Sequence, residues 1–176
     1  MKFIQSIKTN FIQIVLTILL GSLWHFVFDW LGKNNIIAAF FPVNESIWEH
    51  LKLLFYPVLL LSIMECNIRG VKPGFLVART IGIIVGMLMI LILYYTYSGI
   101  TGKDSTVVDI IIFIISIFIT YGISGMLMDK EFSSLPSYKI ICVILLIGII
   151  TSFTLFTYNP PKINLFLDHN TNTYSY

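Results

Sequence analysis

Charge is what this chain has least of. Of its 176 residues only 11% are Asp, Glu, Lys or Arg, against 57% hydrophobic, and the mean hydropathy is +0.88. A water-soluble domain carries about 25% charged residues. This chain therefore lacks the polar side chains to coat a surface facing water, and lipid must be the solvent for most of it. Cysteine is almost missing as well: Cys66 and Cys142 offer no disulfide framework and read as small apolar residues in helices. No basic run occurs, which argues against a nucleic-acid partner; the few Lys and Arg lie between apolar segments, where topology signals belong. There is no GxSxG elbow, no HExxH and no paired Glu-x-x-His, and neither cysteine has a nearby histidine. Ready-made nucleophile and metalloprotease motifs are thus excluded. No small-x-small cleavage site follows the first apolar run, so Lys2 and Lys8 introduce a retained span rather than a signal peptide. No repeat or low-complexity tract divides the chain, which reads as a single domain over 1–176.

What is present is long apolar sequence. Five segments reach the roughly 20 residues a membrane helix needs: about 11–31, 49–68, 76–98, 107–128 and 139–158. The expectation is an all-α integral membrane protein, a bundle of about five transmembrane helices. Trp24, Phe26, Phe28 and Trp30 close the first helix, and Tyr94, Tyr95 and Tyr97 the third, as aromatic belts do at headgroup interfaces. Residues 36–43 are too apolar for an ordinary loop and too short to span, which predicts a re-entrant or interfacial segment between helices one and two. Pro57 predicts a kink in the second helix, and Glu65 and Arg69, four apart at its end, are placed to pair. Gly82-Ile-Ile-Val-Gly86 would let a neighbouring helix approach closely.

With five spans, one side of the membrane holds Lys2, Lys8, Arg69, Lys72, Arg79, Lys130 and Lys139, and the other Lys33, Lys52, Lys103 and Lys162. Seven against four predicts a multi-pass protein of the cell membrane with its N-terminus cytoplasmic and its C-terminus outside. All three histidines, His25, His50 and His169, then fall on or near the outer side, with Asp29, Glu45, Glu49, Asp104, Asp109 and Asp168.

The densest polar stretch is Asn44-Glu45-Ser46-Ile47-Trp48-Glu49-His50-Leu51-Lys52. Pro42 stops what precedes it, Asn44 or Ser46 can cap the second helix, and Ser46-x-x-Glu49 has capping-box spacing. At about 100° per residue, Glu45, Glu49, Lys52 and Tyr56 would share a face of that helix while His50 points away from Glu49. His25 and Asp29, four apart on helix one, would then come opposite Glu45 or Glu49.

Three functions compete for these residues. His25, Asp29, Glu45 and Glu49, with His50 in reserve, offer N and O ligands for a divalent metal that could activate water, making Glu49, His25 and His50 the catalytic candidates of a membrane hydrolase. Alternatively Glu45, Glu49, Lys52, Tyr56 and Asp29 line an outward-facing pocket for a small ligand or ion, near Tyr94 and Tyr95. In the third reading they form a scaffold, His25 pairing with Glu49 and Lys52 with Asp29 or Glu45. Homo-oligomeric and accessory-subunit roles are compatible with each, and the sequence does not say whether the protein is an enzyme. Asn44-Glu45-Ser46 reads as a cap rather than a glycosylation site, and Asp168-x-Asn170-x-Asn172 lacks the glycine and closing Glu of a calcium loop.

The runs His25-Phe-Val-Phe-Asp29-Trp30 and Phe41-Pro42-Val43-Asn44-Glu45-Ser46-Ile47-Trp48-Glu49-His50-Leu51-Lys52, with Tyr94-Tyr95-Thr96-Tyr97-Ser98-Gly99 and Pro160-Pro161, are similar to a family of small bacterial multi-spanning membrane proteins of unknown function. The Asn-Glu-Ser-x-Trp-Glu-His-x-Lys core carries the resemblance, and His169 departs from it where a proline is usual. The resemblance implies the membrane architecture and brings no activity.

Overall fold

The computed structural model describes residues 2–174, without the side chain of Arg69. Five of its helices are long and apolar enough to cross a membrane: α2 (Phe11–Trp30), α4 (Ile47–Arg69), α5 (Phe75–Thr101), α6 (Thr106–Leu127) and α8 (Pro136–Tyr158). At 1.5 Å per residue the shortest, α2 with 20 residues, is about 30 Å long, the thickness of a bilayer core. Short helices fill the connections: α1 (Lys2–Thr9), α3 (Asn35–Ala38) and α7 (Glu131–Ser134), with a 3-10 turn at Asn164–Phe166. The bundle therefore has two ends. The histidine end gathers the C-termini of α2, α5 and α8 with the N-termini of α4 and α6; the arginine end gathers the reverse.

The centre is α4 and α5, about half buried, while α2 and α8 leave most of their apolar surface outward. Leu51, Leu54, Phe55 and Val58 of α4 pack with Ile83 and Ile90 of α5, Ile117 and Tyr121 of α6, Ile14 of α2 and Phe153 of α8. Small residues set the closest approaches. A methyl group on Gly82 or Gly86 would overlap Ser124 or Thr120 of α6, so the GxxxG expected to admit a neighbour admits α6.

Pro57 contributes in a second way. Lacking an N–H, it leaves the carbonyl of Leu53 without its helical partner, yet α4 runs continuously from Ile47 to Arg69. Gly21 of α2 lies against that freed oxygen: a Cβ on Gly21 would stand 2.6 Å from Leu53 O. One proline and one glycine thus bring α2 and α4 together at a carbonyl that lacks its helical donor.

The N-terminal arm, expected only to precede the first span, is itself a helix bound to α6. Ser6 Oγ donates to Tyr121 O at 2.7 Å, and Phe3 and Ser6 occupy the space beside Gly122 and Gly125. At the arginine end Glu65 accepts from Arg79 Nη2 at 3.0 Å, a partner from the next helix. The pairing expected with Arg69 involves a side chain outside the described residues.

The interfacial segment is held from three sides. Trp24 Nε1 donates to Phe40 O at 3.0 Å and stacks on Phe41 at 4.4 Å. Tyr56 donates to Ala39 O, and Tyr158 to Asn35 O. Beyond α8 the tail folds back, with Phe166 against Trp48 at 5.0 Å. Buried Asp168 accepts from the Asn170 and Thr171 N–H groups and closes the last turn.

Candidate functional site

Where α4 begins decides the site. Ser46 is its N-cap, extended at φ −70° and ψ 151°, and its Oγ accepts from Glu49 N at 3.4 Å. The reciprocal arm of a capping box is replaced: Asn44 Oδ1 accepts from Ser46 N at 3.0 Å, freeing the Glu49 carboxylate. Glu45 precedes the helix. The face it was expected to share with Glu49, Lys52 and Tyr56 does not extend that far, and its side chain is swung toward α2. Two polar clusters result.

The first is buried. Glu49 is 2% exposed and Lys52 0%. Lys52 Nζ donates to Glu49 Oε2 at 2.7 Å, Thr157 Oγ1 at 2.7 Å and Ala38 O at 2.9 Å, with Phe41 O at 3.3 Å. Thr157 Oγ1 has both Glu49 Oε1 and Phe153 O at 2.8 Å to donate to. Val43 N donates to Glu49 Oε2 at 3.1 Å. An ammonium has three N–H donors, so Lys52 is saturated, and the carboxylate spends both oxygens. Low dielectric makes each of these contacts strong and makes breaking them costly. The cluster ties α4, the interfacial segment and the end of α8 together. Thr157, which sequence reasoning missed, is one hydroxyl among many in apolar helix, and only its position beside Lys52 distinguishes it.

The second cluster is His25, Glu45 and His50. Glu45 stands between the two rings: His25 Nε2 is 3.3 Å from its Oε1, and His50 Nε2 is 3.3 Å from its Oε2. The rings stack with centroids 5.4 Å apart. One donor atom from each residue falls within 4.8 Å of the others. Hydrogen bonding to His25, then to His50, holds the Glu45 carboxyl well below the usual carboxylate range. The site is part-open, with Glu45 43% and both histidines 28% exposed.

His50 Nδ1 lies 2.9 Å from Ser46 O. A carbonyl only accepts, so Nδ1 carries a proton, and in the neutral ring the Nε2 lone pair points at Glu45. Two lone pairs facing each other require a cation between them, either a proton on Nε2 or a metal ion. A backbone carbonyl fixing the tautomer this way is a common outer-shell partner of a ligating histidine. The separations bear on the choice. Charge-assisted N–H···O bonds are about 2.7–2.9 Å, shorter than either contact. Two ligands each about 2.0–2.2 Å from one tetrahedral ion stand about 3.3–3.6 Å apart. The two 3.3 Å contacts go to different Glu45 oxygens, so one ion shared by all three residues draws the rings toward a single oxygen.

The remaining candidates lie elsewhere. Asp29 pairs with Lys33 at 3.3 Å on the surface, both side chains mostly exposed. Tyr56 serves the interfacial segment, and Tyr94 is buried against Tyr95 and Tyr97. The partners differ from the scaffold reading, since His25 meets Glu45 and Lys52 meets Glu49. Asp109, on the first turn of α6, accepts from Tyr97 at 2.6 Å and lies within electrostatic reach of His50.

A family match covers residues 1–176 in full. The chain belongs to the DUF6512 family, a family of unknown function. No curated protein and no solved structure matches it. Membership brings no assigned chemistry to the cluster.

Proposed function

We propose that this DUF6512 protein binds a divalent transition-metal ion at the histidine end of its bundle, on His25 Nε2, a Glu45 oxygen and His50 Nε2. The carrying observation is the His50 ring, whose Nδ1–H is committed to Ser46 O so that Nε2 presents a lone pair to Glu45. Two imidazoles and a carboxylate suit Zn, Mn or Fe, and three protein ligands leave a position open for water or a ligand. The basic residues favour an N-terminus in the cytoplasm and a C-terminus outside. The site then faces outward from the cell membrane, and C-terminal reporter fusions active only in the cytoplasm would reverse that orientation.

Elemental analysis of purified protein tests the reading. Near-stoichiometric zinc, manganese or iron is expected, retained on dialysis and lost in Glu45→Gln and His50→Ala, with both variants still folded. Protein that takes up no metal, and whose unfolding temperature does not respond to added zinc, would sink it.

A hydrolytic version rests on one further observation. A bound water needs a proton acceptor, and Asp109, held by the Tyr97 hydroxyl at 2.6 Å, is a carboxylate within electrostatic reach of His50. Glu49 and Asp29 are engaged by Lys52 and Lys33 and are poorly placed for that task.

A further inference from the structure

A cavity lies at the arginine end, walled by α4, the first turns of α5 and α8. It is half open and holds about 320 Å³, within the roughly 300–1,000 Å³ of small-molecule pockets. Leu59, Ile63, Leu76, Ile83 and Leu146 give it apolar walls. Its charged lining has one sign: Lys72, Arg79 and Lys139, with no carboxylate among the lining residues.

Arg79 is the centre of this cavity. It is 3% exposed, and its guanidinium lies over the rings of Phe75 at 5.0 Å and Tyr121 at 4.5 Å. Nη2 donates to Glu65 at 3.0 Å, but Nε and Nη1 are buried with no hydrogen-bond partner among the described residues. An unpaired buried donor is costly, more so when charged, so the guanidinium favours an acceptor brought against it. Lys72 is already paired with Asp129 at 2.7 Å, whereas Lys139 has no ion-pair partner among the described residues. The rim is apolar as well, with Ile63 and Val71 exposed beside the cavity.

A bare anion would satisfy the cations and leave the walls wet. An uncharged hydrocarbon would fill the walls and leave the donors unpaired. We infer that the cavity binds an anionic amphiphile, its carboxylate or phosphate held by Arg79 and Lys139 and its alkyl chain lying along Leu59, Ile83 and Leu146. Basic pockets between membrane helices bind acidic lipid headgroups by this combination of charge and burial. The same chemistry is offered by a fatty acid and by an acidic phospholipid.

Thermal unfolding of the full chain in detergent tests this with four additives: oleate, dioleoylphosphatidylglycerol, dioleoylphosphatidylcholine and inorganic phosphate. One or both anionic amphiphiles should raise the unfolding temperature saturably, and the one effective at lower concentration identifies the source. Phosphatidylcholine and phosphate should not. Leu146→Trp fills the cavity and should abolish the shift, and Lys139→Gln, a half-buried position that leaves the fold intact, should weaken binding several-fold. An equal shift with phosphatidylcholine, a shift with phosphate alone, or no shift at all would overturn the inference. So would a shift left undiminished in Lys139→Gln, which decides the matter even if Leu146→Trp fails to fold.

Discussion

Glu45 and Glu49 are four residues apart, and the structure gives them opposite surroundings. Glu49 is buried, with Lys52, Thr157 and Val43 taking up its oxygens. Glu45 is part-exposed, and its two neighbours are imidazole rings, each 3.3 Å from one of its oxygens. A saturated buried pair has no capacity left for a ligand, and its worth lies in what it holds together. An open triad of two nitrogens and a carboxylate contributes little to holding helices and retains its capacity. The Ser46 cap separates them, turning the chain so that Glu49 enters the bundle and Glu45 stays at its edge.

Removing one member of the buried pair should have the largest effect. Lys52→Met leaves the Glu49 carboxylate buried without its cation and should destabilise the protein by about 3–5 kcal/mol, measured as reversible unfolding in mixed micelles. Glu49→Gln combined with Lys52→Met should recover part of that loss. A single variant within about 1 kcal/mol of wild type would show that the cluster is not the tie it is taken to be.

Ser46→Ala tests the hinge between the clusters. Loss of an N-cap costs about 1 kcal/mol, and because Ser46 O orients His50 through the backbone, metal uptake should survive the change. Uptake lost with the hydroxyl would mean that the turn itself, rather than the carbonyl, positions the ring.

Glu45→Gln should do the reverse of Lys52→Met. Its stability effect should stay below about 1 kcal/mol, the range of exposed pairs, while metal retention disappears. A variant that unfolds as readily as Lys52→Met would erase the distinction between a holding cluster and a binding one.

Acid gives the smallest and most specific signal. The Glu45 carboxyl is held below its usual value, so in metal-free protein its stabilising contribution is complete above that value and lost as the pH falls below 4.5. Wild type should therefore lose stability below that pH more steeply than Glu45→Gln, in denaturant midpoints followed across the acid range. Identical slopes would show that the histidines do not act on Glu45.

The spans, the interfacial segment and the GxxxG contact were legible in the sequence, because hydropathy and length answer to the solvent and not to neighbours. His25, Glu45 and His50 were each legible as candidates, but their combination was not. A helical wheel continued through Ser46 assigns Glu45 to the face of Glu49, and the non-helical backbone at the cap invalidates the extrapolation. Glu65 likewise has a partner that its own helix does not reveal, Arg79 across the turn.

By itself the sequence determined the solvent, the number of crossings and the scarcity of charge, since each follows from composition summed over about 20 residues at a time. Tertiary structure alone decided which charges meet. It placed Thr157 against Lys52, which lies 105 residues away, left Leu53 O open for Gly21, and set two imidazoles on one carboxylate. Such pairings depend on a few ångströms of helix packing and on one capped turn, and no local pattern encodes either.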